Sequence, residues 1–192
     1  MNVLIVAATK FEITSDKIAQ RPTLITGVGM VNVAINLTKE LMKNKYDLVI
    51  SMGVAGSFSN ELKNGDVVEV VEDNFSEIGF ENDLEVSRFT DFDLKIKYLN
   101  KSRTSLKKVR AITVNTVHGN NDTISAIVQR ETPEIESMEG ASVFKVCEEF
   151  NVPSIQIRSI SNKVEKRNKN NWDLELAIGN LNIEVEKIIK NL

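Results

Sequence analysis

A chain of 192 residues with 42% apolar and 27% charged residues has the composition of an ordinary folded domain and is long enough to bury a core, which excludes wholesale disorder. A formal net charge of −3 and a pI near 5.4 lack the basic surplus that coating a nucleic acid requires, although local positive groups can still hold a small or anionic ligand. One cysteine (Cys147) allows no internal disulfide and one histidine (His118) leaves no metal cluster. No stretch reads as a membrane span or signal peptide, so the expectation is a cytoplasmic protein without metal, cofactor, nucleic-acid or membrane partner.

Asn2–Ala8 is a continuous apolar run, the pattern of a strand buried on both faces. Thr23–Thr26 reads as a second strand ending at Gly27-Val-Gly29, and Met30–Lys43 carries apolar residues at helical spacing. Tyr46–Met52 is another buried strand, closed by Gly53-Val-Ala-Gly56. Asp66–Val71 and Val109–Val117 read as strands and Ile124–Gln129 as a short helix. Gly140–Phe150 reads as a helix with Cys147 in its apolar stripe, Pro153–Ile160 as a strand, and Trp172–Leu192 as a long amphipathic helix. Ser76–Lys108 is charged and weakly periodic, an excursion from the sheet made of strands with a short helix. Strands alternating with helices predict one α/β domain over residues 1–192, with a mainly parallel sheet covered by helices on both faces. Ligands bind such sheets beyond the carboxyl ends of the strands, which is where chemistry is to be sought.

Four strand-end segments collect unusual residues. Glu12 follows the first strand. Gly53–Gly56 has side chains small enough for a flat ligand to reach the backbone. Glu136-Ser-Met-Glu-Gly140 places two acids around Met138 before a helix, and Ser161-Asn162 closes the strand at 154–160. Each has a plainer reading on its own. Glu139 near a helix start is worth about 0.3–1 kcal/mol to the helix dipole, Glu12 is an ordinary surface acid, and Asn162 is a turn former. Gly27-x-Gly29 lacks the rest of a dinucleotide fingerprint. Only their combination in order carries weight.

In combination they resemble a known superfamily. Ile135-Glu-Ser-Met-Glu-Gly-Ala141, Val146-Cys147, Asn151-Val-Pro153 and Arg158-Ser-Ile-Ser-Asn162 resemble the C-terminal half of methylthioadenosine/S-adenosylhomocysteine nucleosidases. Gly27-Val-Gly-Met-Val-Asn-Val-Ala34 and Ser51-Met-Gly-Val-Ala-Gly56 match the N-terminal half of the nucleoside phosphorylase/nucleosidase superfamily. Within it, Ile160–Asn168, Trp172 and Ala177–Asn182 are similar to futalosine hydrolases, which release hypoxanthine in a menaquinone-forming pathway. The resemblance implies a three-layer fold around a mixed, mainly parallel sheet, a nucleoside substrate, no metal, and a homodimer or larger homo-oligomer. The chain is short for the superfamily, with the loss between Gly79 and Val109.

The resemblance also implies roles. Glu12 matches the carboxylate that activates the attacking water, and Glu139 the one that grips the ribose 2′- and 3′-hydroxyls, with Met138 packed on the sugar. Asn162 stands where adenine-specific nucleosidases carry an aspartate. Its amide can donate to the N7 and O6 acceptors of a 6-oxopurine without taking up a proton. The base is expected against Ala55, Gly56 and the segment Thr116-Val117-His118, with Ser161 beside it. His118 either touches ligand or is a solvated loop histidine. Lys163, Lys166, Arg167 and Lys169 read as a solvated face, with Arg167 available to a benzoate on the substrate's 5′ side. No arginine lies in Met1–Gln20 and Val54 follows Gly53, so the phosphate site of a phosphorylase looks dismantled and water is the expected nucleophile. The rival readings are a methylthioadenosine-type nucleosidase, a purine nucleoside phosphorylase, and an inactive nucleoside-binding homologue.

Overall fold

Apolar side chains alternate across β1 (Val3–Ala7) and make it the middle of the fold. Val3, Ile5 and Ala7 face one layer, while Leu4 and Val6 face the other. The computed structural model describes residues 1–82 and 85–192, so Asp83 and Leu84 of the expected excursion lie outside the described residues. The remaining strands are β2 (Thr23–Ile25), β3 (Leu48–Ser57), β4 (Val67–Phe75), β5 (Phe80–Asn82), β6 (Glu85–Ser87), β7 (Lys97–Leu99), β8 (Lys107–Thr113), β9 (Ile135–Ser137) and β10 (Ser154–Lys163). The helices are α1 (Asp16–Ala19), α2 (Met30–Lys43), α3 (Asn121–Glu131), α4 (Gly140–Glu149) and α5 (Leu174–Lys190). None of the described helices is long and apolar enough to cross a membrane.

The main sheet runs β10-β4-β8-β9-β3-β1-β2, and β10 also pairs with β3, so five of its strands close on themselves. It is mixed, parallel at β1–β2, β1–β3, β3–β10, β4–β8 and β8–β9 and antiparallel at β4–β10, β3–β9 and β4–β7. Helices α1 and α5 cover one face, where Ile18, Leu181 and Val185 pack on Ile5, Ile50 and Ile157. Helices α2 and α4 cover the other, where Val33, Leu37, Val143 and Cys147 pack on Leu4, Val6 and Val49. Each such aliphatic side chain contributes about 1.5–3 kcal/mol on burial. Cys147 belongs to this core, and burial pushes its thiol up to about 12.

Several boundaries differ from the sequence reading for identifiable reasons. Strand β3 does not end at Met52 but runs through Gly53–Gly56, because β10 on one side and β9 on the other satisfy its backbone. Strand β8 stops at Thr113 rather than Val117, since the amides of Asn115 and Thr116 turn to the Glu77 carboxylate. The expected helix at Ile124–Gln129 starts earlier, at Asn121, where the Asn120 side chain caps the amides of Asp122 and Thr123. In the 76–108 excursion the described residues form β5, β6 and β7 and no helix.

Candidate active site

Two carboxylates and a guanidinium meet where β1, β3 and β10 lie side by side. Glu12 ends a short 3-10 turn after β1, and its carboxylate reaches back over that turn. Oε2 accepts from the Thr9 amide at 2.9 Å and lies 3.3 Å from the Thr9 hydroxyl, while Oε1 accepts from the Val54 amide at 3.3 Å. A β-carbon on Gly53 would sit 2.8 Å from Glu12 Oε1, so the carboxylate fits only over a glycine. Glu139 precedes α4 but does not cap it; Oε1 instead accepts from the Gly29 amide at 2.9 Å. Gly27-Val-Gly29, with φ of 83° and 95° at its glycines, thus folds into a donor loop for Glu139. Burial raises the Glu139 carboxyl above its ordinary range, opposed by that amide and by Arg158.

Arg158, in the middle of β10, is the group the sequence reading left without a role. It is fully buried, with Nη1 and Nη2 each 3.2 Å from Ser51 Oγ and Nη1 donating to the Ile157 carbonyl at 3.0 Å. Burial lowers its pKa, and Glu139, Glu12 and Asp73 pull it back up. A lone arginine in the strand Ser154-Ile-Gln-Ile-Arg-Ser-Ile160 was itself the available signal, because a charge inside a buried strand needs carboxylates nearby. Asp73 lies behind the cavity, accepting from Thr113 Oγ1 and Gln156 Nε2, both at 2.9 Å. Thr113 Oγ1 in turn accepts from the Ala141 amide at 2.8 Å and so ties β4 to the start of α4. Burial pushes the Asp73 carboxyl up to about 6. Glu12, Glu139, Arg158, Ser51, Gly53 and Thr26 line one small pocket.

The expected base-side residues gather three residues further along β3, roughly 10 Å away at 3.3 Å per residue. Gly56 pairs with Glu136 on β9 and with Asn162 on β10, so Glu136, Gly56 and Asn162 form a row across three strands. A β-carbon at Gly56 would meet Val164 Cγ2 at 2.9 Å, Asn162 Nδ2 at 3.3 Å and Glu136 Cγ at 3.6 Å; its absence lets these three side chains close in over the strand. Ser161 Oγ lies 2.8 Å from Asn162 Oδ1 and 3.3 Å from the Ala55 carbonyl, while Asn162 Nδ2 donates to the Lys163 carbonyl at 2.9 Å. One amide N–H of Asn162, not two, therefore remains for a ligand in this arrangement. Met138 is half-buried between the two regions, and Val117 is 37% exposed.

His118 is not solvated. Its Nδ1 lies 2.6 Å from Glu136 Oε2 and its amide donates to Oε1 at 3.0 Å, and the imidazole meets the Phe58 ring edge-on. Arg167 stands apart from the cavity, exposed and stacked over Trp172 at 5.1 Å, its amide donating to the Gly119 carbonyl at 3.3 Å.

A profile of the phosphorylase superfamily matches residues 7–191. The chain is 25% identical over 179 residues to a futalosine hydrolase of Thermus thermophilus, covering 86% of this chain and 80% of that one. It is 29% identical over 183 residues to a 5′-methylthioadenosine/S-adenosylhomocysteine nucleosidase of Psychromonas ingrahamii, covering 87% and 79%. The native structure of futalosine hydrolase from Helicobacter pylori superposes with a TM-score of 0.82 at 18% identity, over 99% of this chain and 97% of that one, and so shares its fold.

Proposed function

The chain belongs to the phosphorylase superfamily, among its methylthioadenosine/S-adenosylhomocysteine nucleosidases and futalosine hydrolases, and from that footing we propose that it hydrolyses the N-glycosidic bond of futalosine, releasing hypoxanthine and dehypoxanthine futalosine for menaquinone formation. The observation that carries the choice of base is Asn162, paired with Gly56 at the end of β10 and with one amide N–H unengaged. An amide N–H donates to N7 or O6 of a 6-oxopurine and takes up no proton. The donor amino group of an adenine faces a poorer match there, a mismatch worth about 1–3 kcal/mol.

On the sugar side, breaking the bond from C1′ to the purine leaves positive charge on the ribose, which an anion below the ring stabilises. Glu12 is the base that takes the proton of the attacking water, its carboxylate oriented by the Thr9 and Val54 amides. Glu139 spends one oxygen on Gly29 and has the other for the ribose hydroxyls, with Met138 against the sugar. Although Arg158 brings a cation to this cavity from outside Met1–Gln20, Ser51 engages both its terminal nitrogens and three carboxylates surround it. The negative balance favours a cation-like sugar and opposes a bound phosphate, so water is the nucleophile. Arg167, near the 118–119 loop, is the residue offered to the benzoate of the 5′ extension.

Incubation with futalosine, methylthioadenosine and inosine without phosphate tests the proposal by product analysis. Hypoxanthine from futalosine alone is the expected result. Adenine from methylthioadenosine, the reading favoured by relatives of that name, would keep the roles of Glu12 and Glu139 and overturn that of Asn162.

A further inference from the structure

We propose that His118, oriented by the buried carboxylate of Glu136, is the acid that protonates the departing purine. The inference rests on the nucleosidase reading above and begins from what Asn162 lacks. An amide can donate a hydrogen bond but has no proton to give up, so the electron pair that stays on the purine when the bond to C1′ breaks must be neutralised from elsewhere. The row across the strands shows from where. Asn162 flanks Gly56 on the β10 side and Glu136 flanks it on the β9 side, and both side chains reach over it. Glu136 is 3% exposed, and a buried carboxylate needs a partner; it holds the His118 amide with one oxygen and Nδ1 with the other. That two-point grip fixes the ring with a proton on Nδ1, and Nε2, without a protein partner among the described residues, carries the second proton of the imidazolium that acts as the acid.

The surroundings suit a proton donor. The His118 side chain is 16% exposed and borders a cleft between α3 and the β5–β6 hairpin, through which solvent can return the proton after each turnover. Other charged groups around it are engaged or peripheral. Glu77 is held by the Asn115 and Thr116 amides, Arg130 by the Ser76 carbonyl and Glu131, Glu81 lies on exposed β5, and Arg167 touches the loop only through its backbone. In the step itself the C1′–N bond breaks with its electron pair on the purine, the His118 imidazolium passes its Nε2 proton to a ring nitrogen and becomes neutral, and water bonds to C1′ while Glu12 takes the water's proton. Solvent then restores both residues, leaving purine plus free sugar.

The test compares His118→Phe, which keeps a ring against Phe58, and Glu136→Gln on two substrates. Purine release from the nucleoside should fall by about 10²-fold or more in His118→Phe and by less in Glu136→Gln. Cleavage of 4-nitrophenyl riboside, whose leaving group needs no proton, should stay within about threefold of wild type. An equal loss on both substrates assigns His118 a structural role and overturns the proposal, as does no loss on either. Should wild type not cleave the nitrophenyl riboside, the pH profile of purine release decides. The alkaline fall of kcat/KM should vanish in His118→Phe, and its persistence overturns the proposal. Wild-type protein that frees no purine from any nucleoside instead overturns the functional reading itself.

Discussion

Replacing Asp73 by asparagine should change how stability depends on pH, in a direction set by the burial of that carboxyl. Asp73 is fully buried, and its carboxyl is pushed from the ordinary 3.8 up to about 6, chiefly by desolvation. Below pH 4 both the folded and unfolded chains carry the proton, and nothing is lost. Between pH 4 and 6 the unfolded chain releases it while the fold retains it, so folding stability falls as pH rises, and it levels off above the folded value. A shift of that size is worth about 3 kcal/mol, or roughly 6–12 °C in Tm for a chain of this length. In Asp73→Asn the carbonyl can still accept from Thr113 Oγ1. The new amide can donate to Gln156 Oε1, a buried oxygen without a partner, once the Gln156 amide turns over. Thermal unfolding followed by circular dichroism from pH 4 to 7 measures both proteins, and contributions from Glu139 largely cancel in the difference. The Tm of the variant should gain on wild type by that amount across the range. A flat difference would show that Arg158 already holds Asp73 ionised and that the burial argument is wrong.

Three further substitutions separate the two halves of the site. Glu12→Gln should lower kcat for hydrolysis by about 10²–10⁴-fold with only a small loss of Tm, since its one amide oxygen keeps the Thr9 amide while the Val54 amide, held at 3.3 Å, loses its acceptor; steady-state rates beside a melting curve check this. Gly56→Ala puts a methyl group 3.3 Å from Asn162 Nδ2 and should raise KM, and the dissociation constant for free purine, by at least about tenfold while leaving β3 paired, as calorimetric titration would show. Asn162→Asp should raise the ratio of adenine-nucleoside to inosine-type cleavage, and an unchanged ratio counts against Asn162 as the base selector.

Much of the scaffold was legible because it depends on short-range pattern. Val3–Ala7 reads as a strand buried on both faces and is one; Met30–Lys43 reads as a helix and has those bounds. What could not be read depends on contacts between distant segments. Gly29 and Glu139 are 110 residues apart, and Ser51 and Arg158 are 107. No window of sequence holds either pair. Strand β9 is only three residues long and is set by its neighbours β3 and β8 rather than by its own periodicity. Glu136 was visible as one of the two acids around Met138, but its histidine was not, since the turn that delivers His118 follows from Glu77 ending β8 early.

The continuation of β3 through Gly53–Gly56 explains how one scaffold serves relatives named for different nucleosides. A strand that ended at Met52 would leave its last amides to irregular loops. Because it continues, the Val54 amide orients Glu12 at one end and Gly56 seats the Glu136 and Asn162 side chains at the other, about 7 Å along a rigid ladder. Each end is thus anchored separately. The sugar end depends on Glu12, Glu139, Arg158 and the Asp73–Thr113 tie, none of which touches the base row. At the base end, the proposed choice of purine rests on Glu136 of β9, Asn162 of β10 and His118 of the loop after β8. On that proposal, exchanging a carboxyl for an amide at 162, or adding an acid–histidine pair across Gly56, alters which purine is matched and where its proton comes from. Neither change reaches Glu12, the proposed water-activating carboxylate, so on the same proposal specificity diverges while the bond being cleaved stays the same.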